Sequence, residues 1–134
     1  MFKITMLVKK APGITQQEFV AHWAAHSQKV LANQKALNIV RYAKTMPIFI
    51  GGQSTRRETA AFGYDAMGEL WYESVQAFAD ARNSEAARAV LAELMADEAR
   101  FCDMKNSVMW FGEEEAVIEF ERYGTRLATD KFFK

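Results

Sequence analysis

Residues 2 to 18 constrain the fold of this chain most tightly. Phe2, Ile4, Met6 and Val8 alternate with Lys3, Thr5, Leu7 and Lys9, the two-residue period of a β-strand. Ala11-Pro12-Gly13 breaks the strand. Thr15-Gln16-Gln17-Glu18 then reads as a capping box, the threonine accepting from the first turn and the glutamate reaching back. The helix it opens is expected to run to about Asn33.

The remaining elements follow from the same signals. A second strand is expected across Ile39–Lys44, followed by a long polar segment, Gly51–Thr59, whose length exceeds an ordinary hairpin loop. Ala66–Tyr72 resumes as a strand. Ser74 caps a short helix through Arg82, and Ser84 caps a longer one from Glu85 to about Arg100, with Ala87, Val90, Leu91, Leu94 and Met95 as its buried stripe. Ser107–Phe111 is the last strand. The order β-α-β-β-α-β is the ferredoxin-like signature: an α+β fold with a four-stranded antiparallel sheet and the helices on one face. The other face is expected to expose apolar residues, Leu7, Leu70 and Tyr72 or their neighbours one residue over. Pairing two such sheets hides them, so a homodimer is expected. Residues 1–112 form the domain, and 113–134 a C-terminal extension in which Val117, Phe120 and Leu127 suggest a helix that Gly124 weakens.

Composition narrows the function classes. Seventeen basic residues balance seventeen acidic ones among 134, which gives no support for nucleic-acid binding or a polybasic membrane surface. No apolar run approaches the roughly 18 residues of a membrane span, and the N-terminus lacks a signal peptide's apolar core. Cys102 is the single cysteine. With no intrachain disulfide possible, a reducing cytoplasm is the expected setting, and Cys102 reads as packing.

Few side chains carry obvious chemistry. His26 follows Phe19 by seven residues and Trp23 by three, which places it on the apolar stripe of the first helix, expected to face the sheet. A histidine there can take and give a proton near neutral pH, or serve as a core residue bonded to a carbonyl. His22, four residues earlier, has the spacing of a second metal ligand, but no third ligand is evident, so no metal is expected and a structural or substrate-lining role suits it better. Tyr42 on the second strand can give its hydroxyl to a substrate oxygen. Trp23, Trp71 and Trp110, with Tyr72 and Phe111, can wall an aromatic-sized pocket. Arg41, Arg56 and Arg57 suit a carboxylate through paired hydrogen bonds. Asp65 and Asp103 fit turn and cap roles.

Four segments resemble the EthD branch of the dimeric α+β barrel superfamily: Leu7–Gly13, the helix motif Phe19-x-x-x-Trp23-x-x-His26, Asp65–Ser74 and Asp97–Asp103. Many EthD-like sequences place the helix histidine one residue later, where this chain has Ser27. The position of His26, Tyr42 and the run Gly68–Tyr72 resemble methylmuconolactone methylisomerase, though Leu70 stands where that enzyme has a pocket cysteine. The resemblance implies a cofactor-free isomerase or lyase shuttling a proton on an unsaturated oxygenated acid such as a muconolactone or hydroxymuconate, with possible cis–trans isomerisation. In that reading His26 is the base, Tyr42 steadies the oxyanion and the arginines hold a carboxylate. Two alternatives stand beside it: an EthD-like dehydratase or cyclase on a polyketide-like aromatic, and a non-catalytic small-molecule-binding or accessory subunit.

Overall fold

A computed structural model of the protein describes residues 1–48 and 57–119. Strand β1 (Phe2–Val8) leads into helix α1 (Gln16–Ala32), followed by β2 (Arg41–Thr45), β3 (Ala66–Tyr72), α2 (Val75–Asp80), α3 (Glu85–Glu98) and β4 (Val108–Glu113). The strands form one antiparallel sheet in the order β2-β3-β1-β4. This is the expected ferredoxin-like arrangement.

Local chemistry explains where the helices start. Both halves of the α1 capping box are made, with Glu18 N donating to Thr15 Oγ1 and Thr15 N donating to Glu18 Oε1, each at 3.0 Å. Ser74 and Ser84 each accept from a backbone N–H three residues on, at 3.0 Å, and so open α2 and α3. Beyond α1 the chain turns through Asn38, which takes a left-handed φ of 58° and gives its side-chain amide to Ala77 O.

Strand register decides which side chains meet the helices. Phe2 pairs with Tyr72, Ile4 with Leu70, Met6 with Gly68, and Tyr42 also opposes Leu70, so all of these share the helix-covered face. Phe2, Ile4 and Tyr72 pack there with Val30, Leu37, Ile39 and Leu94. A second cluster joins Val8, Phe19, Trp23, Ala66, Phe101 and Cys102. Leu70 and Tyr72 therefore belong to the core, and the neighbours one residue over, Glu69 and Trp71, lie on the face away from the helices with Leu7. Parity is set by pairing with β1, where Phe2 and Ile4 must point inward.

Two further expectations change. Met95 is 67% exposed, while Asp97 is buried at 3%, because the buried side of α3 is turned toward α1 at its C-terminal end. The tail shows no helix across 114–119, and Val117 and Ile118 are exposed; Phe120 and Leu127 lie outside the described residues.

Candidate active site

Helix α1 presents two different edges to its surroundings. At about 100° per residue, Phe19, His26 and Val30 fall within roughly 20° of one line, Trp23 and Ser27 lean to one side of it and His22 to the other. The Trp23–Ser27 edge meets β2. The His22–His26 edge meets α3. This corrects the expectation that His26 faces the sheet: it is buried, but its Nδ1 lies 2.7 Å from Asp97 Oδ2 in the seam between α1 and α3.

Asp97 collects four groups. Besides His26, its Oδ1 lies 3.3 Å from His22 Nε2, 3.3 Å from Lys29 Nζ and 3.4 Å from the Arg100 guanidinium. Burial alone would push this carboxyl up. The hydrogen bonds from His26, His22 and Lys29 outweigh burial and hold it at about 2, so it is ionised throughout the neutral range. Both histidine rings also rest on Phe101, with centroids 4.9 Å away for His22 and 5.2 Å for His26. Among the described residues no cluster has the make-up of a metal site, and Lys29 and Arg100 already bring positive charge to this carboxylate.

On the other edge of α1 a cleft opens toward the sheet. Met6, Val8, Trp23, Val30, Tyr42, Leu70, Glu98 and Phe101 form much of its wall, with Cys102 and Met104 at one end, and it holds a void of about 30 Å³. A void of that size takes about one water molecule. Trp23 Nε1 donates to the Tyr42 hydroxyl oxygen at 2.7 Å. Ser27 Oγ donates its proton to Trp23 O at 2.8 Å, so the 3.2 Å approach of Ser27 and Tyr42 has the phenol as donor. Burial raises the Tyr42 phenol above its usual value, Ser27 and Trp23 pull it down, and the nearby Glu98 adds to the rise. Gly68 is what lets the Trp23 ring lie this close to β3, since a Cβ there would stand 3.1 Å from the indole.

Glu98 is the residue that sequence reasoning missed. Its carboxyl lines the cleft beside Tyr42 and Cys102, and burial raises it from its usual value. Among the described residues no hydrogen bond or ion pair reaches that carboxyl. A signal was present in the sequence: Ala87, Leu91, Leu94 and Glu98 follow the helical core spacing, which puts an acid on an apolar stripe. Cys102, buried beside it, is pushed up to about 12 by burial and by Glu98, so it stays a thiol.

The other expected site residues are scattered. Tyr42 and Trp23 line the cleft. Arg41 sits next to Tyr42 in a strand and so points to the opposite sheet face, where its guanidinium covers the Trp71 ring at 4.1 Å and Lys3 approaches the same ring at 4.9 Å. Trp110 is on that far face too, 51% exposed on edge strand β4. Arg57 is exposed, and Arg56 lies outside the described residues. Asp65 accepts the Lys10 N–H at 2.7 Å and Asp103 accepts from Asn106 at 2.8 Å, both turn roles.

A ferredoxin-like α+β domain with a small, mostly apolar cleft between its first helix and the sheet is the class that this geometry defines. Residues 11–105 match the EthD domain, and the chain belongs to that family. Solved structures agree on the fold. An ethyl tert-butyl ether d (EthD) family protein from Bacillus halodurans C-125 superposes with a TM-score of 0.57 at 19% identity, covering 86% of this chain and 99% of that one. HapK from Hahella chejuensis gives 0.59 at 12% identity, over 91% and 100%. A dimeric protein of unknown function and ferredoxin-like fold from Bacteroides fragilis NCTC 9343 gives 0.53 at 9% identity, over 84% and 95%. No curated protein sequence matches the chain at a significant level. No helix among the described residues is long and apolar enough to cross a membrane.

Proposed function

We propose that the protein is a cofactor-free enzyme that moves a proton on an unsaturated, oxygenated small molecule held between α1 and the sheet, as an isomerase or lyase. The observation that carries this reading is the Tyr42 phenol, fixed by Trp23 and Ser27 at the wall of an apolar cleft. A half-buried hydroxyl positioned in this way suits the oxygen of a substrate whose charge grows as a proton leaves carbon. His26 is the proposed base. With Nδ1 held by Asp97 its tautomer is fixed, which leaves Nε2 to take the proton. Phe101 lies between the His26 ring and the cleft, so contact between that nitrogen and a substrate requires the Phe101 ring to move aside. The proton transfer is the kind that a ring-cleavage product of muconolactone or hydroxymuconate type undergoes in cis–trans isomerisation through a dienolate, but such a substrate carries a carboxylate, and no arginine or lysine is among the described residues lining the cleft. The active form is proposed to be a homodimer in the cytoplasm.

A second reading, a dehydratase or cyclase on a polyketide-like aromatic, is favoured by one observation. Arg41 covers Trp71 on the far face of the sheet and is not available in the cleft to hold a carboxylate.

Incorporation of solvent deuterium tests the proposal. The purified protein is expected to exchange the acidic C–H of an enolisable dienoate or dienone, and no exchange with either class sinks it. His26→Asn should lower the rate by about 10²–10⁴-fold with an unchanged circular dichroism spectrum, the usual worth of a general base. Full retention of exchange in that variant would remove His26 from the chemistry.

A further inference from the structure

Two consecutive residues at the end of α3 have opposite surroundings. Asp97 faces α1 and is met by two histidines, a lysine and an arginine. Glu98, one residue on, is rotated by about 100° into the cleft, where Trp23, Phe101, Cys102 and Met104 are its fellow lining residues. Lys29 and Arg100 are taken up at Asp97, and the ammonium of Lys44 lies over the Trp23 ring. Among the described residues no cation pairs with the Glu98 carboxyl and no N–H donates to that carboxyl; its backbone carbonyl accepts from Phe101 N and Cys102 N. A carboxylate among these apolar side chains is less well hydrated than one in water, which favours the protonated form, and a carboxylic acid carries an O–H that the cleft can use.

We propose that the Glu98 carboxyl, when it carries its proton, and the Tyr42 phenol form a two-donor site for the oxygen of an uncharged, enolisable carbonyl compound. This rests on the reading that the cleft holds the substrate, and it names the class of compound bound there. A carboxyl kept protonated by an apolar site and paired with a tyrosine is an effective arrangement for an enolate oxygen. The direction of both pKa shifts agrees, since burial raises Glu98 and Tyr42 alike. Size agrees as well: the void of about 30 Å³ accepts one oxygen-bearing group. The remainder of a ligand takes the space of Met104, 36% exposed at the rim, and of Met6, both side chains with several soft torsions. Tyr42 must turn its proton from Ser27, and the 3.2 Å contact it gives up is a long one.

Charge argues against a carboxylate ligand. Two acids facing one apolar cleft repel an anion once either ionises. Arg41 is on the other side of the sheet. Lys44, the cation on this side, is exposed, and its ammonium lies 5.7 Å from the centroid of the Trp23 ring.

Binding of substituted phenols of graded acidity, which mimic an enolate, tests the site without requiring turnover; benzoate is the carboxylate control. Tryptophan fluorescence reports binding, and carbon-detected NMR follows the Glu98 carboxyl in the unmodified protein. Phenols are expected to bind and benzoate not to, with phenol affinity falling as pH rises through the Glu98 titration. Glu98→Gln and Tyr42→Phe should each weaken phenol binding about tenfold, equivalent to one step of 1.4 kcal/mol, with unchanged circular dichroism spectra. Absence of phenol binding, equal binding of benzoate, or a Glu98 carboxyl that titrates as a free side chain would each overturn the proposal. Phenol binding without any deuterium exchange leaves this site standing and removes the proposed enzyme activity. Exchange that is indifferent to both substitutions does the reverse.

Discussion

Asp97 and Glu98 show how much a rotation of one residue changes a carboxyl group. Asp97 is buried and ionised because four polar partners outweigh its lost hydration. Its carboxyl is held at about 2 against a usual 3.8, so the folded state binds this proton less readily than the unfolded chain does. The stabilisation is therefore complete above the unfolded value and is lost as pH falls from about 4 toward about 2. Asp97→Asn should cost about 3–5 kcal/mol at neutral pH, the range for breaking a buried charged cluster from one side. Urea unfolding at several pH values checks both points: the gap between wild type and variant should close in acid, and a constant gap would contradict the linkage. Glu98 has the opposite sign. Its raised carboxyl makes ionisation unfavourable to folding, so Glu98→Gln should gain stability over wild type as pH rises above the usual carboxylate range and match it in acid. The sequence disclosed part of this. Spacing identified His26 as a buried helix residue, but periodicity gives only the angle around one helix axis, not which neighbour stands at that angle. The partner 71 residues away, Asp97, was invisible until α3 was placed beside α1.

Elements were far more legible than their partners, since caps and alternation are written in adjacent residues. The capping box at Thr15 and the serine caps of α2 and α3 form as read, and each strand lies within a residue or two of its expected span. Strand β2 begins at Arg41, two residues after the expected Ile39, because Ile39 is drawn into the core below it. What local pattern left undetermined is the parity of β3, where Leu70 and Trp71 are equally apolar and only pairing with β1 decides between them. The seating of α1 on that strand depends on Gly68. An alanine Cβ would stand 3.1 Å from Trp23, forcing the ring to give way by a few tenths of an ångström and straining its bond to Tyr42. Gly68→Ala is expected to cost about 1–2 kcal/mol, at the lower end of overpacking penalties. It should also shift the Trp23 indole N–H resonance while leaving that of Trp110 in place. An unmoved Trp23 signal would mean that the helix, not the ring, absorbs the added methyl. Thr15→Ala tests the other end of α1, with an expected loss of about 1 kcal/mol in a urea titration.

At the level of the whole molecule, the sheet has one face under helices and one without them. On the second face Leu7, Met67, Trp71, Val108 and Trp110 alternate with Lys3, Glu69 and Arg41, a mixture of apolar surface and paired charge. Two buried polar atoms on this face, Thr5 Oγ1 and Trp71 Nε1, have no hydrogen-bond partner among the described residues. A buried donor or acceptor left unmade costs about 1–3 kcal/mol, which favours a surface that brings polar groups of its own. Edge strand β4 adds to the argument, with Val108, Met109, Trp110 and Phe111 each between 39% and 52% exposed. An uncovered apolar edge of this kind is a site of association, and a second copy related by a two-fold axis offers the same pattern in return. Sedimentation equilibrium should accordingly give about 30 kDa, twice the 15.2 kDa chain, in the isologous dimer such a face supports. Trp110→Lys places a charge in the middle of that surface and should weaken association at least tenfold without lowering the helix content. A wild-type protein that sediments as 15.2 kDa at every concentration would refute the dimer, and the cleft behind Tyr42 and Glu98 would then have to function within one chain.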